Sequence, residues 1–170
     1  SGFLLIDQQA AHERILYERY LKVLQEQKNT AQRQLFARKV DLAPHDAALL
    51  RELLPEIQQL GFDIEAFGAD TFVINGVPAE MDGKQEESEL IETLLEQYKQ
   101  NVELRLQLRE NVARSMARSA SIKRGQLLSV EEMQALIDQL FACETPFKSP
   151  KGRNCFISFE LDDLEKRFEG

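Results

Sequence analysis

Apolar positions along the chain recur with two periods. Over Gln8–Gln27, Ala11, Ile15, Leu16, Tyr20, Leu21 and Leu24 repeat at threes and fours, one buried stripe of a helix that Asp7 is placed to cap. Gly2–Ile6 before it, Leu35–Leu42, Phe62–Phe67, Thr71–Val77 and Cys155–Leu161 read as strands. Gly68-Ala69-Asp70 makes a hairpin of the third and fourth of these. Pro44 opens a helix that Gly61 closes, with Pro55 expected to kink or restart it. Further helices are predicted over Glu86–Gln100, from about Glu103 to Ala120, from a Ser129/Glu132 capping box to about Ala142, and over Asp162–Phe168. Thr145–Asn154, with Pro146, Pro150 and Gly152, is a loop.

Composition narrows the class. The 170 residues suffice for one domain or two small lobes, and 43% hydrophobic residues are too many for a disordered chain. No apolar run is long enough for a membrane span. Ser1-Gly2 resembles an expression remnant, so the chain reads as a piece of something longer. Two cysteines, Cys143 and Cys155, are too few for a disulfide framework, which makes the cytoplasm the expected location. Lys plus Arg 21 against Asp plus Glu 29 gives a net charge of −8, which disfavours a surface that clings to nucleic acid throughout but permits a local basic patch.

Four stretches carry candidate chemistry. In Asp7–Glu18, Gln9 and Glu13 share a helical face beside Asp7, and paired carboxylates at a strand-to-helix junction suit a hard divalent cation. Spacing alone favours a plainer role: Asp7 caps the helix while Glu13 and Glu18 pair with Arg14 and Arg19. His12 is assigned no role. In Gln32-Arg33-Gln34-Leu35-Phe36, a glutamine followed by an apolar pair fits a groove on a partner, or else an edge strand packing inward. Arg105, Arg109, Arg114, Arg118, Lys123 and Arg124 form a basic strip that either meets phosphates or is neutralised by the acidic Glu80–Glu96 segment. Lys148–Asn154 is a basic turn.

In this order the stretches resemble the C-terminal domain of the MutL mismatch-repair family over nearly the whole chain. Asp7 to Glu18 is similar to the family signature DQHA-x2-E-x4-E. Ser119–Lys123 is similar to the stretch after its ACR-type motif, and Ser149–Asn154 to its CPHGRP loop. The resemblance implies an α+β, two-lobed fold of mixed sheets packed with helices. A dimerisation lobe would comprise about 1–30 plus 125–170, and an inserted lobe 31–124. It also implies a homodimer formed through a sheet and helix surface of one lobe.

Family members that nick DNA gather a divalent-metal site, usually zinc, at these motifs. Here Asp7 and Glu13 match, and Glu18 matches as a supporting residue. Gln9 stands for a histidine, Arg118 for a cysteine, and Ser149 and Lys151 for a cysteine and a histidine. The expectation is a degenerate site with no metal, in which Arg118 or Lys151 pairs with the acids. The chain would then be an interaction module, with no ATPase because no phosphate-cradling glycine loop is present. The alternative is a latent endonuclease using Asp7, Glu13 and Glu18 with zinc, Mn²⁺ or Mg²⁺. The resemblance further implies contact of Gln32, Leu35 and Phe36 with the DNA polymerase sliding clamp, Ala37 replacing the usual proline, and a weak contact of the basic strip with the duplex DNA backbone.

Overall fold

The structure, a computed structural model, describes residues 2–26, 37–78, 86–102 and 106–169. The chain divides into two compact units, Ser1–Glu18 with Ser121–Gly170, and Arg19–Ala120. The division falls inside the first helix and after residue 120, whereas the sequence suggested 30 and 124. Among the described residues, no helix is long and apolar enough to cross a membrane.

The first unit begins with β1 (Gly2–Ile6), which pairs antiparallel with β5 (Phe156–Glu160), Gly2 opposite Glu160 and Ile6 opposite Phe156. Gly2 is needed there, because a Cβ would sit 2.2 Å from the Phe159 carbonyl oxygen. The start of α1 (Gln8–Glu26) and α5 (Val130–Phe141) enclose a small core of Ala10, Ala11, Ile15, Leu136, Leu140 and Cys155. Ile6, Ile122, Leu128, Cys143 and Phe156 pack against it. Both bonds of the capping box form: the Glu132 amide donates to Ser129 Oγ, and the Ser129 amide donates to the Glu132 carboxylate. β5 runs directly into α6 (Leu161–Glu169).

The second unit has a three-stranded antiparallel sheet, β2 (Arg38–Asp41), β4 (Thr71–Gly76) and β3 (Asp63–Ala66), in that order. Strict alternation along β4 buries Phe72 and Ile74, as a sheet with one covered face requires. Leu50, Leu53 and Ile57 of α2 (Pro44–Gln59) are also buried. So are Leu90, Ile91, Leu94 and Leu95 of α3 (Glu87–Asn101), and Val112, Ala113 and Met116 of α4 (Leu108–Ala120). Between α3 and α4 a polar chain is closed: Asn101 donates to Ser115 Oγ, Ser115 to Asn111 Oδ1, and Ser119 to the Leu90 carbonyl.

Three expectations need correction. Pro55 does not restart α2, which runs uninterrupted to Gln59. Pro55 and Arg51, the residue whose carbonyl loses its donor, are both exposed, so water can replace the missing bond. β2 covers Arg38–Asp41: Ala37 and Leu42 of the expected Leu35–Leu42 strand lie beyond its pairing with β4, and residues 35 and 36 lie outside the described residues. The regular part of α4 begins at Leu108 rather than near Glu103.

Candidate active site

β1 delivers the chain to α1 at Asp7. The Asp7 amide donates to the Cys155 carbonyl at 2.9 Å, one step beyond the β1–β5 ladder, which fixes where its side chain stands. Oδ1 accepts from the Gln9 and Ala10 amides at 3.1 and 3.0 Å, the bonds of a helix cap. Oδ2 receives two guanidiniums, Arg124 at 2.6 Å and Arg153 at 3.1 Å. Partial burial is the largest single influence on this carboxyl and pushes its pKa up. The Ala10 amide, the Arg124 bond and charge, and the Gln9 amide together outweigh it, so the group lies below its ordinary value.

Arg124 reaches Asp7 because its turn is tied to one face of α1. Gln8 Nε2 donates to the carbonyls of Lys123 and Gln126 at 2.9 and 2.8 Å. Four residues along the helix, His12 Nδ1 accepts from the Ile122 amide at 2.9 Å. That bond places the ring proton on Nε2 in the neutral form. Gly125, at φ +80°, lets the turn close. His12 was missed from sequence; its i,i+4 relation to Gln8 was the available signal, but its partner is a backbone amide 110 residues away.

The next two turns of α1 hold the loop before β5. Glu18 accepts from the Glu144 amide through Oε2 at 2.8 Å and from the Thr145 amide through Oε1 at 3.1 Å, with Arg14 3.5 Å from Oε1. Arg14 Nε donates to the Lys148 carbonyl at 2.6 Å. Within the loop, the Gly152 amide donates to the Ser149 carbonyl and the Arg153 amide to Ser149 Oγ. Ser149 is thereby buried at a tight turn, Lys151 lies exposed at its tip, and Arg153 follows it. Burial pushes the thiols of Cys143 and Cys155 up to about 11, with the nearby Glu18 carboxylate adding to the effect at Cys143.

Three segments distant in sequence thus meet around one carboxylate: the start of α1, the 121–126 turn and the 148–154 loop. A family model describing the MutL C terminal dimerisation domain matches residues 1–128. The chain belongs to this family. DNA mismatch repair protein MutL of Chlorobium chlorochromatii (strain CaD3) is 39% identical over 169 residues, covering 99% of this chain and 26% of that protein. MutL of Chlorobaculum tepidum is 39% identical over 170 residues, covering 99% of this chain and 27% of that protein. MutL of Prosthecochloris aestuarii is 36% identical over 169 residues, with the same coverage. The chain spans about a quarter of the length of these relatives.

The motif positions of this MutL domain can now be placed. Gln9 and Glu13 are buried on α1, Glu13 at 1% exposure, and Ser149 is buried in the loop. Arg118 lies on α4 of the second unit. On Asp7, Arg124 and Arg153 supply positive charge. Among the described residues, no group of three or more His, Cys, Asp or Glu is gathered as a metal ion would need. The basic strip falls into two parts: Arg109, Arg114 and Arg118 on α4 of the second unit, and Lys123 and Arg124 in the first. Arg105, Gln32, Leu35 and Phe36 lie outside the described residues.

Proposed function

We propose that this domain joins two MutL chains through its first unit, and that protein cations stand where relatives of the nicking type hold a metal. The pairing rests on the distribution of exposed apolar side chains. Fourteen large hydrophobics are exposed among the described residues, and only Phe67, Val102 and Leu108 of these belong to the second unit. Register places Phe3 opposite Phe159 and Leu5 opposite Ile157, so all four project from one face of the β1–β5 sheet. The two phenyl rings stack at 5.2 Å. Phe3, Leu5 and Ile157 are 40, 51 and 45% exposed. A two-stranded sheet with an uncovered apolar face is marginal in water, and a second copy of the same face covers it with closed twofold symmetry.

Sedimentation of the protein tests this directly. The chain should run at twice its 19.5 kDa mass. A Leu5→Asp, Ile157→Asp double variant should run as a monomer with its helical circular dichroism retained. A folded double variant that remains dimeric would remove this face from the interface.

The reading of the pocket is supported by its donors. The positions matching the family's ligands offer Gln9, Arg118, Ser149 and Lys151, with no imidazole or thiolate among them. Both oxygens of Asp7 and both of Glu18 already accept hydrogen bonds from protein groups. These residues do not suit a zinc ion, and the domain acts as an interaction module. The sliding-clamp contact of Gln32, Leu35 and Phe36 is proposed on sequence alone. The DNA-backbone contact of Arg105, Arg109, Arg114, Arg118, Lys123 and Arg124 is likewise proposed on sequence alone, with Arg124 already bonded to Asp7.

A further inference from the structure

One end of the β1–β5 sheet opens into a cleft of about 450 Å³, within the range of ligand pockets. Leu5, Ile6, Phe156 and Ile157 line its apolar part, and Arg124 and Asn154 bring polar groups to it. We propose that this cleft docks a peptide presenting an apolar side chain beside a carboxylate.

Charge complementarity selects that occupant. Asp7 also borders the cleft, but its two oxygens already accept from two amides and two guanidiniums. Asp7, Arg124 and Arg153 together carry a formal charge of +1 (two guanidiniums against one carboxylate). Arg124 is 56% exposed and meets Asp7 through a single nitrogen, so the rest of its five-donor fork is directed elsewhere. The flanking 121–126 and 148–154 segments contain no acid, and Lys148 donates to Asn154 Oδ1. The cleft therefore draws an anion on a chain of net charge −8. At Gly125 a Cβ would meet no atom within 4 Å, which leaves room for a ligand backbone. The four apolar walls favour a carboxylate attached to hydrocarbon over a bare inorganic anion.

The test is an amide-shift titration of the whole protein with N-acetyl-leucine, N-acetyl-leucinamide and inorganic phosphate. N-acetyl-leucine should give saturable shifts at Gly125, Asn154 and Ile157, and the other two probes should bind at least about tenfold more weakly. Arg124→Gln should weaken N-acetyl-leucine by about tenfold. Ile157→Ser leaves the Asp7 cluster intact and should weaken it too, which guards against misfolding of the arginine variant. Equal binding of the amide, or shifts that phosphate reproduces at the same concentration, would overturn the proposal. Leu5 and Ile157 also belong to the proposed dimer face, so sedimentation accompanies each titration. Saturable binding at constant mass supports a separate ligand site, whatever that mass is. Shifts that appear only as a dimer dissociates would assign the cleft to the interface and overturn it.

Discussion

The Arg124 guanidinium stands 2.6 Å from the Asp7 carboxylate, across 117 residues of sequence. With Arg153 on the same oxygen, it ties the 121–126 turn and the 148–154 loop to the first turn of α1. Asp7→Asn keeps a side chain that caps helices well but removes the charge the arginines face. It should cost about 1 kcal/mol, because both arginines are half exposed to solvent. Asp7→Ala should cost about 1 kcal/mol more through the lost cap. Urea denaturation of the three proteins measures both steps, and identical midpoints would deny the carboxylate its bridging role.

The same carboxylate predicts an acid limb. Its folded pKa lies below the ordinary value of 3.8. The unfolded chain therefore binds the proton more readily. The contribution to stability is complete above the ordinary value and is lost as pH falls through it toward the folded value. The stability difference between wild type and Asp7→Asn should shrink over that range and hold constant at neutral pH. A difference that is flat through acid would assign the effect to packing.

Glu18 accepts two backbone amides from Glu144 and Thr145. Glu18→Gln turns one acceptor into a donor aimed at an N–H. The expected loss is about 1–2 kcal/mol, with faster hydrogen exchange at Glu144 and Thr145 before any change in α5. Unchanged exchange at those two amides would show that the loop is held by other means.

Local pattern made much of this fold legible. The stripe of α1, the capping box of α5 and the β3–β4 hairpin all depend on residues within a few positions of each other. The two arginines on Asp7 did not follow from pattern. Arg124 is placed by a turn tied to Gln8 and His12, and Arg153 by the Ser149 turn. The Gln8 and His12 bonds join side chains to backbone over more than a hundred residues, and periodicity carries no trace of them. The exposed face of β1 and β5 was half legible: both strands were visible, but pairing Leu5 with Ile157 needed the register.

The two thiols predict an alkaline limb of opposite sign. Both are raised to about 11 from an ordinary 9.0. The folded state holds its thiol protons longer than the unfolded chain does. Stability from these groups is full below the ordinary value and declines as pH rises from about 9 to about 11. A Cys143→Ala, Cys155→Ala double variant should lose part of that decline. At neutral pH, iodoacetamide should label Cys143 slowly and the fully buried Cys155 more slowly still. Rapid labelling of Cys155 in the folded protein would show that its core opens readily.

The pocket reading makes the sharpest demand. If Arg124 and Arg153 hold Asp7 in place of an ion, the purified protein should carry no stoichiometric zinc by elemental analysis. A supercoiled plasmid incubated with the protein and Mn²⁺ should remain supercoiled. The two guanidiniums oppose a divalent ion by Coulomb repulsion, and the four donors on Asp7 would have to be displaced before it could bind a metal. Arg124→Gln with Arg153→Gln removes that repulsion, yet leaves Gln9, Ser149 and Lys151 where soft or imidazole donors would be needed. The double variant should therefore also bind zinc no better than about millimolar, well short of the affinity of a structural zinc site. Manganese-dependent nicking by the wild type that vanishes in Asp7→Asn would instead make Asp7 a metal ligand and the domain an endonuclease.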